Sequence, residues 1–306
     1  MKYSVRYTRD FRHLKTIDEI ILPYAGDADL CSFIEETFNK SQRIVVELAG
    51  SANLDSINPI IRKMIKDGWN IVIKISILDF KEINPIILQD IPYFFYEYPR
   101  NIEEVYDQAM HGASDVYITE FLGFCMKQLK SIKDKFGVQF RVIPNIAQCA
   151  PTARTYMSPL QKFWIRPEDT EIYEGYIDIF EIAGGEDNSR LSVVYEIYKQ
   201  QQWLGNLNDL IMDFGDENTT DLIPNTGMNP HFAEMRLDCV KKCLTGSCNL
   251  CNEMGQLARE FNTVGIEVIK KRKVEQKTEE EKKAILERIR RADNGSGTTE
   301  ETVLPE

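Results

Sequence analysis

Four cysteines fall within thirteen residues near the C-terminus: Cys239, Cys243, Cys248 and Cys251, spaced C-x3-C-x4-C-x2-C. The chain has only three others, so more than half of its thiols sit in one short segment. Thiolates at that density hold zinc or an iron–sulfur cluster, because soft sulfur ligands select those centres. Cys239 and Cys243 stand one helical turn apart, and Cys248 and Cys251 stand at i, i+3. Gly246 suits the stop of a first helix and Ser247 the cap of a second, which brings the four sulfurs together across a tight helical hairpin. Only Leu244, Thr245, Gly246 and Ser247 separate the pairs. Zinc ribbons usually leave about a dozen residues or more there, so the spacing leans to iron–sulfur, with zinc and uncoordinated structural thiols as the alternatives.

Charges buried in apolar runs are the second source of chemistry. Arg6, Glu47, Lys74, Glu97, Glu120, Arg141, Arg166 and Glu181 each stand late in a short β-branched or aromatic run. If those runs are parallel strands of one barrel, their late residues line its C-terminal mouth, where barrel enzymes build their sites. The same charges can instead form a self-compensating ion-pair plug, since buried charges must be paired whether or not they react. From this set Arg166, Glu181, Glu47, Lys74 and Glu120 are the candidate catalytic residues. Arg166 precedes a proline that fixes it extended, and its guanidinium can clamp a carboxylate or phosphate, or pair with Glu168, Asp169 or Glu181. A desolvated Glu181 can act as a general base. Cys149, in the loop after the run ending at Pro144, is a candidate cluster ligand or reactive thiol, or an ordinary loop cysteine.

The elements that position these residues follow from periodicity. Strands are expected at Tyr3–Thr8, Arg43–Ala49, Asn70–Ser76, Pro92–Tyr98, Val116–Gly123, Val138–Pro144, Lys162–Arg166 and Ile177–Ala183, with amphipathic helices between most of them. Eight alternations predict an α/β fold, a (β/α)8 TIM-like barrel, over residues 1–202. Residues 203–265 then form an irregular connection and the cysteine-rich metal-binding segment, and residues 266–306 a charged helix and disordered tail that offers a surface for a protein partner. Cys31 and Cys125 fall on helical segments as core residues.

Composition narrows the function classes. A net charge of −11 and a pI near 5.0 argue against broad duplex DNA binding, though a local basic patch can hold one RNA strand. No apolar stretch approaches the ~20 residues of a membrane span, and no signal-peptide pattern opens the chain, so the expectation is a cytoplasmic protein with no membrane association. Phosphate-loop, dinucleotide, nucleophile-elbow and H-E-x-x-H patterns are all missing. His13, His111 and His231 are scattered.

Phe163-Trp164-Ile165-Arg166-Pro167-Glu168-Asp169, then Tyr173-Glu174, then Ile177-Asp178-Ile179-Phe180-Glu181-Ile182, resembles the W-I-R-P-E-D…Y-E…I-D-x-F-K-I block of the collagenase-like peptidase family U thirty-two. The Asn145…Cys149…Pro151 loop is similar to that family's N-x-x-C…C-P segment, and the order of parts agrees through Trp203-Leu204-Gly205-Asn206-Leu207 to the terminal cysteines. The chain departs where relatives carry Lys at the Glu181 position and a Gly-Arg after it, and it offers one loop cysteine instead of two. The resemblance implies a barrel with a cysteine-held 4Fe-4S cluster and hydroxylation-type modification of RNA or of a small metabolite, or in a few members peptide hydrolysis. Three readings follow: an iron–sulfur-dependent modifying enzyme acting on RNA, peptide or small metabolite; a peptidase or hydrolase true to the family name; and a non-catalytic, zinc-stabilised partner or maturation scaffold.

Overall fold

The computed structural model of the chain describes residues 1–24, 26, 29–48, 54–82, 88–119, 125–146, 163–184, 190–212 and 225–237. Glu120, Cys149, the Cys239–Cys251 hairpin and the 266–306 tail lie outside the described residues. Eight parallel strands, β1 (Lys2–Arg6), β2 (Glu19–Tyr24), β3 (Arg43–Leu48), β4 (Asn70–Ile75), β5 (Tyr93–Phe95), β6 (Asp115–Tyr117), β7 (Gln139–Val142) and β8 (Ile179–Ile182), form a closed barrel in chain order. β8 returns to β1 with Tyr3 opposite Phe180 and Ser4 opposite Glu181. Runs such as Ile44-Val45-Val46 and Ile71-Val72-Ile73 suit this architecture because each strand is covered on both faces.

Side-chain alternation divides those runs into two cores. Ile20, Leu22, Ile44, Val46, Ile71, Ile73 and Phe95 join the large core between sheet and helices. Ile21, Val45, Val72, Phe94, Tyr117 and Ile143 form a separate, smaller cluster that fills the lumen. The outer layer comprises α1 (Leu30–Thr37), α2 (Leu54–Lys66), α3 (Ile77–Glu82), α4 (Ile102–Met110), α5 (Met126–Phe136) and α6 (Leu191–Lys199), with α7 (Phe232–Leu237) beyond them. Local signals fix several ends. Asp29 accepts the Ser32 N–H at the start of α1 and Asn101 the Glu104 N–H at the start of α4, while α5 stops at Gly137 with φ 70°, a left-handed turn that glycine adopts without strain.

The strand count matches expectation, but its membership differs. Glu19–Tyr24, which is not among the expected strands, supplies β2. Of Lys162–Arg166, expected as a strand, the described Phe163–Arg166 form none: Ile165 N–H donates to the Pro144 carbonyl at 3.0 Å, Tyr198 Oη donates to the Ile165 carbonyl, and Trp164 stacks on Phe232 of α7 at 5.5 Å. Its apolar run is buried by packing against later segments, outside the eight-stranded barrel.

Candidate active site at the barrel mouth

Lumen charges fall into two layers. The lower one belongs to the N-terminal strand ends. Arg43 places Nη1 2.7 Å from Glu19 Oε2 and 2.8 Å from Asp115 Oδ1, and Arg141 binds Glu19 through Nη2. Glu19, Asp115 and Arg141 have side chains at most 1% exposed. Burial pushes the Asp115 carboxyl up, but the Arg43 guanidinium, helped by Arg141 and Ser114, outweighs it and holds the group below its usual value. Burial likewise disfavours the charges of Arg43 and Arg141, and their carboxylate partners reverse the effect. This layer is an ion-paired plug.

The upper layer belongs to the C-terminal ends. Glu47 and Lys74 are register neighbours on β3 and β4, with Lys74 Nζ 3.4 Å from Glu47 Oε1 and Arg6 2.9 Å from Glu47 Oε2. Glu181 on β8 accepts from Tyr117 Oη at 2.7 Å and from Arg141 Nη1 at 3.2 Å, both at Oε2. Lys74 Nζ lies 5.3 Å from the Tyr117 ring centre, and the half-exposed Tyr98 meets that ring edge-on at 4.9 Å. Burial, then the Glu181 and Glu47 carboxylates, push the Tyr98 phenol up to about 12. Burial and Glu181 also raise Tyr117 well above its ordinary value. Both carboxylates therefore act on one phenol. Glu47 and Glu181 keep 17% and 13% of their side chains exposed, against 0–1% for the acids of the plug, so a solute can reach this layer. An ammonium, two carboxylates and two phenols at one mouth can bind a polar group and move protons to and from it.

The structure brings Glu47, Lys74 and Glu181 together as expected, with Arg6 beside them. Glu97 turns away from the lumen: it accepts the Ile77 N–H at 2.8 Å and the Ser76 hydroxyl at the start of α3. Arg166 is not at the mouth. Its Nε and Nη2 hold Asp169 at 2.6 and 2.7 Å, Nη2 also reaches the Asn229 carbonyl at 3.2 Å, and the residue is 4% exposed. That guanidinium is committed to joining the Pro167–Tyr173 3-10 helix to the segment before α7. Cys31 lies in α1 but is only partly buried and so is not the core residue expected, Cys125 is buried at the N-cap of α5, and among the described residues no three His, Cys, Asp or Glu side chains gather into a metal-binding group. Sequence reasoning missed Tyr98 and Tyr117, and also Glu19, Arg43 and Asp115, which open their strands. A charge at the first position of an apolar run was the available signal for the plug.

No family model matches the chain, and no curated protein matches it. Among solved structures, a crystal structure assigned as an alpha-L-fucosidase from Bacteroides thetaiotaomicron has 11% identity over 60% of this chain and 84% of its own, with a TM-score of 0.35. At that score the likeness carries no argument about chemistry. Fold and site together define a TIM-like α/β barrel with a polar, solvent-reachable mouth. Among the described residues no helix is long and apolar enough to cross a membrane.

Proposed function

We propose that this chain is an iron–sulfur-dependent modifying enzyme whose substrate group enters the barrel mouth. The observation that carries this reading is the meeting of Glu47, Lys74 and Glu181, from three different strands, around the Tyr98–Tyr117 pair. Among the described residues Lys74 has one long ion-pair contact, at 3.4 Å, which leaves ammonium donors to hold a carbonyl, carboxylate or phosphate oxygen. Glu181 uses one oxygen for Tyr117 and Arg141, and its other oxygen serves as proton acceptor. Glu47, held between Arg6 and Lys74, fixes the ammonium against Tyr117. The donor set of Cys239, Cys243, Cys248 and Cys251 suits a 4Fe-4S cluster by its chemistry, with Cys149 as a further ligand and zinc as the alternative metal. Such a cluster supplies one-electron chemistry when bound. In sequence Cys149 follows β7 and the other four follow β8, and neighbouring strand ends of a barrel share one face. The family U thirty-two resemblance supports hydroxylation-type modification of RNA, peptide or a small metabolite in a cytoplasmic setting, with the 266–306 tail available to a protein partner.

The test compares cells carrying the wild-type chain with cells carrying Glu181→Gln or Lys74→Met, by mass analysis of RNA nucleosides, peptides and metabolites. A species one oxygen heavier that requires both side chains supports the proposal. Identical profiles in all three would remove it.

A further inference from the structure

Among the described residues, the partly buried Glu168 is a carboxylate without a cation. Glu168, in the Pro167–Tyr173 3-10 helix, accepts at Oε1 from the Trp203 backbone N–H and from Asn225 Nδ2, the latter at 2.8 Å. Its Oε2 is closed to solvent and accepts from no donor among the described residues. Among the described residues, no Lys, Arg or His stands within ion-pair distance of it; the neighbouring Arg166 is taken by Asp169. Asn225 is 5% exposed, and its Nδ2 donates both to Glu168 and to the Trp203 carbonyl at 2.7 Å. Exchanging its N and O would set oxygen against oxygen twice, so the amide orientation is fixed. Asn225 Oδ1 is therefore an acceptor, and it too is buried with no donor. Two touching side chains thus each bury one unanswered oxygen, one of them on a charged group.

We propose that Glu168 Oε2 and Asn225 Oδ1 are protein ligands of a hard cation of the calcium class, which staples the Trp203 and Asn225 segments to the 3-10 helix. A carboxylate and an amide carbonyl are the oxygen donors such ions take, with water completing the shell. A soft thiolate-seeking metal has no partner here, so this site is chemically distinct from the cysteine segment.

The experiment uses the full chain after chelator dialysis, with Ca2+ and Tb3+ as probes. Millimolar Ca2+ is expected to raise the melting temperature by roughly 3 °C, the scale of a weak site well above its Kd. Tb3+ should luminesce on tryptophan excitation because Trp203 adjoins the site, and Ca2+ but not K+ should displace it. Glu168→Gln keeps the shape and the Oε1 acceptor but removes the charge, so it should fold while losing both responses. Trp203→Phe keeps the backbone donor and should dim the emission while preserving the Ca2+ shift. The proposal is overturned by a wild-type chain that ignores Ca2+ or by equal responses in Glu168→Gln.

Discussion

Arg141 Nη1 stands 3.2 Å from Glu181 while Nη2 of the same guanidinium binds Glu19, so one side chain ties the sealed base of the barrel to its open mouth. The chain of contacts runs Asp115, Arg43, Glu19, Arg141, Glu181, Tyr117 without a break. Arg141→Met removes the shared cation and leaves Glu19 and Glu181 underpaired. Loss of one partner from a buried network costs about 3–5 kcal/mol. Urea unfolding should show a loss on that scale; a change below about 1 kcal/mol would mean the lumen rearranges freely.

Acid should undo the same plug. Asp115 has a folded value held below the ordinary carboxylate value, so it adds stability above the unfolded value of about 3.9, and that stability is lost as pH falls through the lower folded value. Urea midpoints measured from pH 7 down to pH 3 should decline chiefly below about pH 4. Asp115→Asn should be less stable at pH 7 and fall less steeply in acid. Parallel curves for the two proteins would place the acid sensitivity elsewhere.

Tyr98 reports on the mouth carboxylates. Burial raises its phenol first, and Glu181 and Glu47 raise it further, to about 12. In ultraviolet titration the component lost in Tyr98→Phe should ionise well above the ordinary value of about 10, and Glu181→Gln or Glu47→Gln should move it down. Since its folded value is raised, Tyr98 favours the folded state only below the unfolded value, and alkali should erode stability from about pH 10 upward. A Tyr98 signal indifferent to both substitutions would mean the carboxylates do not share that space.

Arg166, although its sequence context suits anion capture, behaves as a clamp. Arg166→Met removes the two-pronged guanidinium contact to the buried Asp169 and frees the Asn229 carbonyl from Nη2. A loss of about 3–5 kcal/mol is expected, with the amides of Asn229–Leu237 exchanging faster while those of β3 and β4 keep their protection. Uniform acceleration across the barrel would show that Arg166 supports the whole fold and not this docking.

Much of the barrel could be read from the chain, because Arg43–Leu48 and Asn70–Ile75 are unbroken apolar runs with one late inward charge each. That pattern also located Glu47, Lys74 and Glu181. It failed at Glu19–Tyr24, whose charge comes first and whose Pro23 argues against a central strand. It failed again at Phe163–Arg166, since a short buried run looks the same whether a sheet or a later helix covers it. Tyr117 could not be picked out because its role depends on Arg141, its register partner on β7, and on Glu181 of β8, which reach it only once the strands are paired. Glu97 carries the same late charge as Glu47, but its alternation faces it toward α3.

The most direct measurement of the central claim is metal and sulfide analysis, with electron paramagnetic resonance, of anaerobically purified protein alongside Cys248→Ser and Cys251→Ser. An iron–sulfur enzyme should hold about four iron and four acid-labile sulfides per chain, give a cluster signal on reduction, and lose both in either variant. Stoichiometric zinc, no metal, or full iron retained in both variants would contradict it.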